Sequence, residues 1–273
     1  MTRPRGRSRS AAVRRAWNLV SRIYRPDSSE GDVFGHRDRE HREWLRPLWE
    51  NLPRRGAILD LGCGCGVPDA RLLAERFEVT GVDLSDVQIA RARAFVPRAT
   101  FIRADMTRVA FPPGSFEGVI CLYGIIHVPM RQQPGLLVRI GRWLKPGGLF
   151  LAISGHGAWT GREKHWLGSR ATMYWSHPDP RTFARWLHAA GFDILRQRTI
   201  PEGASAHRLF LCRRRADASR PPPFRRRETA MEPDSTAGVL RANPKSPRGA
   251  GRTPSRRRLS AGRRARSRPA GGR

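Results

Sequence analysis

The sequence predicts an α/β domain whose sheet is mostly parallel and doubly wound, with helices on both faces. Short apolar runs alternate with segments whose apolar residues recur every three or four positions, as expected of strands and amphipathic helices in turn. In addition, the first apolar run, 57-AILDL-61, leads directly into the glycine-rich loop 62-GCGCG-66. Such a loop joins a strand to a helix where a ligand approaches the backbone closely.

The predicted elements follow one another in a regular order. Five parallel strands are expected at residues 57–61, 78–85, 99–105, 116–124 and 148–154. Helices are expected between them at residues 67–77, 86–95 and 132–144, and Ser85 is placed to cap the second helix. Ahead of the first strand, residues 16–53 are predicted to be largely helical, with a polar break at residues 26–32.

The pattern changes after residue 154. Residues 155–179 have little periodicity and are rich in Trp, Tyr and His; a helix over 180–192 and two strands over 193–202 and 206–213 are predicted to follow. We therefore predict one domain over residues 16–213. Its core spans residues 57–154, and a substrate-side insertion with the last strands spans residues 155–213.

The positive charge lies mainly at the two ends of the chain. The formal net charge is +29 over 273 residues; residues 1–25 hold eight arginines and no acid, and residues 213–273 hold 19 basic and four acidic residues. Such ends bury too little apolar surface to offset their ordering entropy. We predict a basic disordered arm over residues 1–15 and a disordered Arg/Pro-rich tail over residues 214–273.

The cysteines and the hydropathy limit the setting of the protein. Four cysteines in a chain of this length do not indicate a disulfide framework, which favours a reduced, cytoplasmic location. The pair Cys63 and Cys65 has no partner Cys or His pair nearby, so no metal site is expected. No apolar run approaches the roughly 18 residues that span a bilayer, and no membrane partner is expected.

Polar residues follow the ends of several predicted strands, where ligands of doubly wound sheets bind. Gly62 and Gly64 follow the first strand, Asp83 ends the second and Asp105 ends the third. A carboxylate at position 83 can accept two hydrogen bonds from adjacent ribose hydroxyls, and Asp105 can accept one from an adenine amino group. A dinucleotide site would instead require G-x-G-x-x-G, but Val67 stands where the third glycine would be.

Five motifs in order resemble those of class I S-adenosylmethionine-dependent methyltransferases: 57-AILDLGCGCG-66, 81-GVDLS-85, 103-RADM-106, 116-FEGVICLYGIIHV-128 and 144-LKPGGLFLAIS-154. The resemblance implies a Rossmann-like sheet of seven strands with one antiparallel strand. It also implies S-adenosyl-L-methionine as the cofactor. By position, the implied cofactor-binding residues are Asp60, Gly62, Cys63 and Gly64 at the methionine end, Asp83 and Leu84 at the ribose, and Asp105 and Met106 at the adenine, with Leu122 against the other side of the ligand.

The implied reaction is in-line displacement, in which a methyl group passes from the sulfonium to a small-molecule acceptor. His127 follows the fourth strand, on the acceptor side, and is the candidate general base; His156, His165 and His177 are weaker candidates. Trp159, Trp166, Tyr174 and Trp175 could wall an acceptor pocket, and Tyr24 could lie on a lid helix. The acceptor, its reacting atom and the oligomeric state stay open.

The Arg-rich tail leaves two other hypotheses. Arginine clusters such as 225-RRR-227 could bind phosphates, which would fit a nucleic-acid methyltransferase or a nucleic-acid-binding module. Against a nucleic-acid methyltransferase, the tail holds a single aromatic residue, Phe224, for stacking on bases, and no Asn-Pro-Pro-aromatic motif is present. Against a non-enzymatic module that binds nucleotides or nucleic acid, Asp60, Asp83 and Asp105 are intact. The tail could also be the product of read-through or a frameshift in a GC-rich gene. We favour the small-molecule methyltransferase.

Overall fold

The structure is a computed structural model that describes residues 5–26, 35–203 and 205–216. The predicted tail therefore lies outside the described residues from residue 217 onward. Arg214 is the last residue of the final strand, so the domain continues one residue past the predicted boundary.

Seven strands form one sheet in the order β3-β2-β1-β4-β5-β9-β8, and β6 and β7 form a separate pair. Neighbours from β3 to β5 are parallel, and β9 runs antiparallel to both β5 and β8, as expected. The strands are β1 (Ala57–Leu61), β2 (Glu78–Asp83), β3 (Thr100–Arg103), β4 (Phe116–Cys121), β5 (Leu144–Gly155), β6 (Trp159–Lys164), β7 (Thr172–His177), β8 (Phe192–Glu202) and β9 (Ser205–Arg214).

Helices cover both faces of the sheet. They are α1 (Arg5–Tyr24), α2 (Gly35–Asn51), α3 (Asp69–Leu73), α4 (Asp86–Phe95), α5 (Gln133–Trp143) and α6 (Pro180–Ala189). The predicted cap of α4 is confirmed, because the Ser85 hydroxyl accepts a hydrogen bond from the Gln88 amide at 3.1 Å.

The core is split by the sheet into two apolar layers. On one face, α2, α3 and α4 bury residues such as Leu45 and Leu72; on the other, α5 and α6 bury residues such as Ile140 and Phe183. Each such fully buried side chain stabilises the fold by about 1.5–3 kcal/mol. Burial on both faces explains why β1 and β4 are mostly apolar, apart from Asp60 and Glu117, and do not alternate between apolar and polar residues.

The helix α1 corrects the predicted arm over residues 1–15, because α1 begins at Arg5. Val13 is buried, and the Ser10 hydroxyl bonds Asp105 on the body of the domain. The helix was predicted from residue 16 onward, and the excess of arginine hid the part before it. The buried apolar stripe of α1 is narrow and includes Val13, Ala16 and Val20.

The aromatic segment after β5 also differs from the prediction. Residues for which no element was predicted form the antiparallel pair β6–β7, with Trp159 opposite His177. Two successive residues of β7, Met173 and Tyr174, are both buried. Because β7 has contacts on both faces, its sequence lacks the alternation of apolar and polar residues from which strands are usually predicted.

Candidate active site

A cavity of about 560 Å³ lies at the carboxyl ends of the parallel strands, a size typical of small-molecule sites. Its lining residues fall into two groups. We call residues 62–65, 83–84, 104–107 and Leu122 the glycine-loop half. We call the wall that contains Trp17, Trp44, Tyr123, Trp166 and Trp175 the aromatic half.

The glycine loop needs its glycines for two different reasons. Gly62 and Gly64 have φ values of 80° and 55°, a region in which a side chain is strained. A Cβ on Gly62 would also lie 2.9 Å from the Cα of Gly124, whereas a Cβ on Gly64 would meet nothing closer than 3.8 Å. Gly62 thus permits close packing of two loops, and Gly64 leaves bare backbone beside the cavity.

Asp83 connects the end of β2 to the glycine loop. One carboxylate oxygen accepts from the Gly64 amide at 3.0 Å, and the other accepts from the Ser85 amide at 2.8 Å. Burial raises the pKa of Asp83 from its usual 3.8 to about 6, although these backbone donors oppose the shift. Each oxygen retains a further lone pair for a ligand hydroxyl.

Asp60 lies behind the loop. It is 3% exposed and is not among the residues that line the cavity. Burial raises the pKa of Asp60 well above its usual range, and the nearby carboxylates of Asp69 and Asp83 raise it further. A predicted contact of Asp60 with the cofactor would therefore have to be indirect.

The remaining predicted cofactor residues lie in the glycine-loop half: Cys63, Leu84, Asp105, Met106 and Leu122 all line the cavity. Asp105 accepts from the Thr107 amide and hydroxyl on one oxygen, and from the Ser10 hydroxyl at 2.7 Å on the other. The sequence therefore identified the strand-end residues of this half, but not the contact with α1.

The helix α1 covers the cavity and is held by buried polar contacts to α4. The Ser21 hydroxyl donates to Gln88 at 2.7 Å, and Arg91 donates to the Ser21 carbonyl at 2.7 Å. Trp17 and Tyr24, on the same helix, line the cavity. The structure thus places Tyr24 where the predicted lid contact requires it.

The aromatic half is a network of edge contacts among rings. Trp17 and Trp166 lie 5.2 Å apart between ring centroids, and Trp166 and Trp175 lie 5.6 Å apart. Tyr174 is buried and Trp159 is partly exposed, but neither lines the cavity. The predicted aromatic wall is therefore correct for Trp166 and Trp175.

His127 lies between Trp17 and Trp175, with ring centroids at 5.5 Å and 4.6 Å. Its Nδ1 donates to the Tyr174 carbonyl at 2.8 Å, which leaves Nε2 as a hydrogen-bond acceptor. Burial lowers the pKa of His127 to about 4, so the ring is neutral near pH 7. It lines the cavity, whereas His156, His165 and His177 do not.

The sequence did not indicate a polar cluster in the aromatic half, formed by Tyr123, Glu202 and His207. The Tyr123 hydroxyl donates to one Glu202 oxygen, and the other lies 3.2 Å from Nδ1 of His207. Glu202 and His207 stand on the adjacent ends of β8 and β9, which were predicted only as strands. The signal in the sequence that could have indicated this cluster is the short spacing between Glu202 and His207, across the turn predicted between the last two strands.

Acidic side chains dominate the charge of the cavity wall. The acidic residues that line the cavity are Glu40, Asp69, Asp83, Asp105 and Glu202. Of the described Arg and Lys side chains, the lining includes Arg25. A wall of this sign attracts cationic ligands and disfavours carboxylates. Within the described ranges, no group of His, Cys, Asp and Glu side chains could hold a metal ion.

Comparison with known proteins identifies relatives of the strand-and-loop core. Residues 58–148 match the family described as Methyltransferase domain. The chain is 30% identical over 130 residues to a sterol 24-C-methyltransferase of Candida albicans, a match that covers 44% of this chain and 33% of that protein. It is 30% identical over 151 residues to the 2-methyl-6-phytyl-1,4-hydroquinone methyltransferase of Synechocystis, covering 53% and 44% of the two chains. Both matches span less than half of the relative.

A solved structure shares the fold over a larger part of the chain. The magnesium protoporphyrin IX methyltransferase of Synechocystis with bound S-adenosylhomocysteine superposes with a TM-score of 0.58 at 18% identity. The match covers 76% of this chain and 99% of that one. None of the helices in the described part of the chain has the length and apolarity to cross a membrane.

Proposed function

We propose that the chain is a class I S-adenosylmethionine-dependent methyltransferase that transfers the methyl group to a small-molecule acceptor held in the aromatic half of the cavity. The observation that carries this proposal is a single cavity lined both by the glycine loop with Asp83 and by a wall of aromatic rings. One half suits a nucleoside with a cationic end, and the other suits an apolar acceptor.

In this proposal the glycine-loop half holds S-adenosyl-L-methionine. Gly62, Cys63 and Gly64 offer backbone to the methionine end, and the space beside Gly64 supports this fit. Asp83 accepts from the ribose hydroxyls. Asp105 and Met106 lie along the adenine, with Leu84 and Leu122 as apolar neighbours, while Asp60 supports the loop from behind.

The bound cofactor supplies a methyl group on a positively charged sulfur, from which it leaves by in-line displacement. The chain supplies orientation and exclusion of water, because α1 covers the cavity and the aromatic rings enclose its far half. Acidic lining residues favour a cationic ligand over its neutral product. This difference in charge would assist release of the neutral thioether after transfer.

His127 is proposed to contact the acceptor. Its neutral Nε2 can accept a hydrogen bond, and the bond from Nδ1 to the Tyr174 carbonyl fixes the ring. With a pKa of about 4, His127 could serve as a base only for an acidic acceptor group. A cytoplasmic location, which four buried, unpaired cysteines support, is part of the same proposal.

Calorimetric titration of S-adenosylmethionine and S-adenosylhomocysteine into the full chain tests the proposal. We expect binding by the wild-type protein and a loss of at least about 100-fold in Asp83→Ala, because two hydrogen bonds to a charged oxygen are removed. Asp193→Ala is the matched control, since that exposed carboxylate pairs with Arg215 and is not among the cavity-lining residues. A folded wild-type protein that binds neither molecule would contradict the proposal.

A further inference from the structure

The cluster of Tyr123, Glu202 and His207 is a polar site inside an otherwise aromatic wall. All three residues line the cavity, and the His207 side chain is 16% exposed. The imidazole lies edge-on to the Tyr123 ring at 5.1 Å between centroids. Since a polar group in such a wall loses hydration, its presence needs a compensating partner or a ligand.

Glu202 lies beside the imidazole of His207. A Glu202 oxygen lies 3.2 Å from Nδ1 of His207, which is within ion-pair distance, although Nδ1 has no aligned hydrogen-bond partner. The Tyr123 hydroxyl donates to the other oxygen of Glu202 and holds that carboxylate in place. A carboxylate at this distance stabilises the imidazolium that forms when the ring takes up a proton, as a general base must.

The cluster is close to the expected position of the cofactor's methionine end. Tyr123 lies between Leu122 and Gly124, and Gly124 packs directly against Gly62 of the glycine loop. Tyr123 therefore follows β4 at the point where the chain packs on the glycine loop, and its hydroxyl reaches Glu202. His127 is held differently, since its partner is a backbone carbonyl rather than a carboxylate.

We propose that His207 is the general base of the domain, that Glu202 beside it stabilises its protonated form, and that the acceptor is an aromatic molecule with an ionisable hydroxyl group. This inference rests on the proposed methyl transfer. Nε2 of His207 takes the hydroxyl proton while an oxygen lone pair forms the new bond to the methyl carbon. The electrons of the broken carbon–sulfur bond stay on sulfur, and a proton leaves to solvent from the imidazolium.

The charge of the wall favours a hydroxyl over a carboxyl acceptor. A carboxylate needs no base, and Glu40 and Glu202 in the lining would repel it. A neutral phenol can enter beside Glu202, and the imidazolium formed by proton transfer then lies between the carboxylate and the new phenolate. The rings of Trp44 and Trp175 supply flat apolar surface for an aromatic acceptor.

The test uses 4-nitrophenol, whose ionised form absorbs visible light, added to the full chain saturated with S-adenosylhomocysteine. We expect the bound probe to be more ionised than the free probe at the same pH, measured from about pH 5 to about pH 8. His207→Asn should lose this excess, and Glu202→Gln should lower it several-fold. Calorimetry on the same samples should show unchanged affinity for S-adenosylhomocysteine, which also verifies folding.

His177→Asn is the matched control, because that ring lies 6.4 Å from His207 and bonds a backbone carbonyl instead of Glu202. Its probe spectrum should match the wild type. The groups that face His207 are Glu202, Tyr123, His177 and, through the shared wall, His127, so His127→Asn is measured alongside. Loss of the ionised probe in His127→Asn but not in His207→Asn would overturn the proposal.

Two other results would also overturn it: no binding of the phenol to the complex, or tighter binding of 4-nitrobenzoate than of 4-nitrophenol. A wild-type protein that binds no S-adenosylhomocysteine would instead contradict the proposed function, and this inference with it. Calorimetry measures binding of S-adenosylhomocysteine without the phenol probe. It therefore distinguishes a failure of the proposed function from a failure of His207 as the base.

Discussion

The two halves of the cavity are built in different ways. The glycine-loop half comes from the ends of successive strands, at residues 62–65, 83–84 and 104–107, and relies on backbone and short side chains. The aromatic half is assembled from Trp17 on α1, Trp44 on α2 and Trp175 on β7, which are far apart in sequence. The first half is therefore fixed by the sheet itself, and the second depends on how separate elements dock onto it.

This difference implies that the two halves can be changed separately. Substitutions in the glycine loop should act on cofactor binding through backbone geometry. Changes in the aromatic half should alter which acceptor fits, since rings of varied size can fill the same wall. The two halves are in contact where Gly62 packs on Gly124 and where Ser10 bonds Asp105. A substitution at either contact should alter both cofactor binding and the acceptor side of the cavity.

Gly62→Ala should have the largest effect. A Cβ there would press on the Cα of Gly124 at 2.9 Å in addition to the strain of φ 80°, so we expect about 2–5 kcal/mol lost from the free energy of unfolding. Cofactor binding should fall below detection. Urea denaturation and calorimetry measure the two effects.

Gly64→Ala is the matched comparison for this loop. Its Cβ would meet nothing within 3.8 Å, so the cost should be only the strain of φ 55°, about 1–2 kcal/mol. Equal destabilisation in the two variants would show that the contact between the loops does not matter, and that the halves are independent there.

The pH dependence of cofactor binding should be the next largest effect. Asp83 has a pKa of about 6 in the ligand-free protein, and the hydroxyls it is proposed to bind favour the charged form. Affinity for S-adenosylhomocysteine should therefore fall about tenfold for each pH unit below about 6. Asp83→Asn should bind weakly with a much flatter profile, measured by calorimetry across that range.

The stability of the ligand-free protein should change in the opposite direction. Because folding raises the pKa of Asp83 from 3.8 to about 6, the folded state binds more protons than the unfolded state in that range, and the contribution of Asp83 to stability is lost as the pH rises through about 6. Burial raises the pKa of Asp60 too, so its contribution has the same sign. A wild-type affinity that does not change between about pH 5 and about pH 7 would contradict this role of Asp83.

The sequence predicted the sheet and the glycine-loop half well, for a physical reason. Strand ends, glycines with positive φ and Asp83 lie within a few residues of one another, so their spacing is visible along the chain. Both β8 and β9, and the cap at Ser85, were also predictable from local pattern.

The aromatic half could not be predicted to the same extent. Trp17 and Trp44 lie in the segment that was predicted to be helical, but no local pattern indicates where those helices dock, and β7 is covered on both faces. Glu202 and His207 meet because of strand register, which depends on the turn between β8 and β9. Contacts set by docking and register leave little periodic signal in the sequence.

Ser10→Ala should have the smallest effect, and it tests the second contact between the two halves. The Ser10 hydroxyl donates to Asp105 at 2.7 Å, and its loss should cost about 1 kcal/mol of α1 docking. Amide hydrogen exchange in the first turns of α1 should then quicken about fivefold, with global stability unchanged.

Ser115→Ala is the control, because that hydroxyl donates to the Pro112 carbonyl in an exposed loop. Unchanged exchange in Ser10→Ala would mean that the contacts of Ser21 with Gln88 and Arg91 are sufficient to hold α1. The cover over the aromatic half would then be held without help from the glycine-loop half.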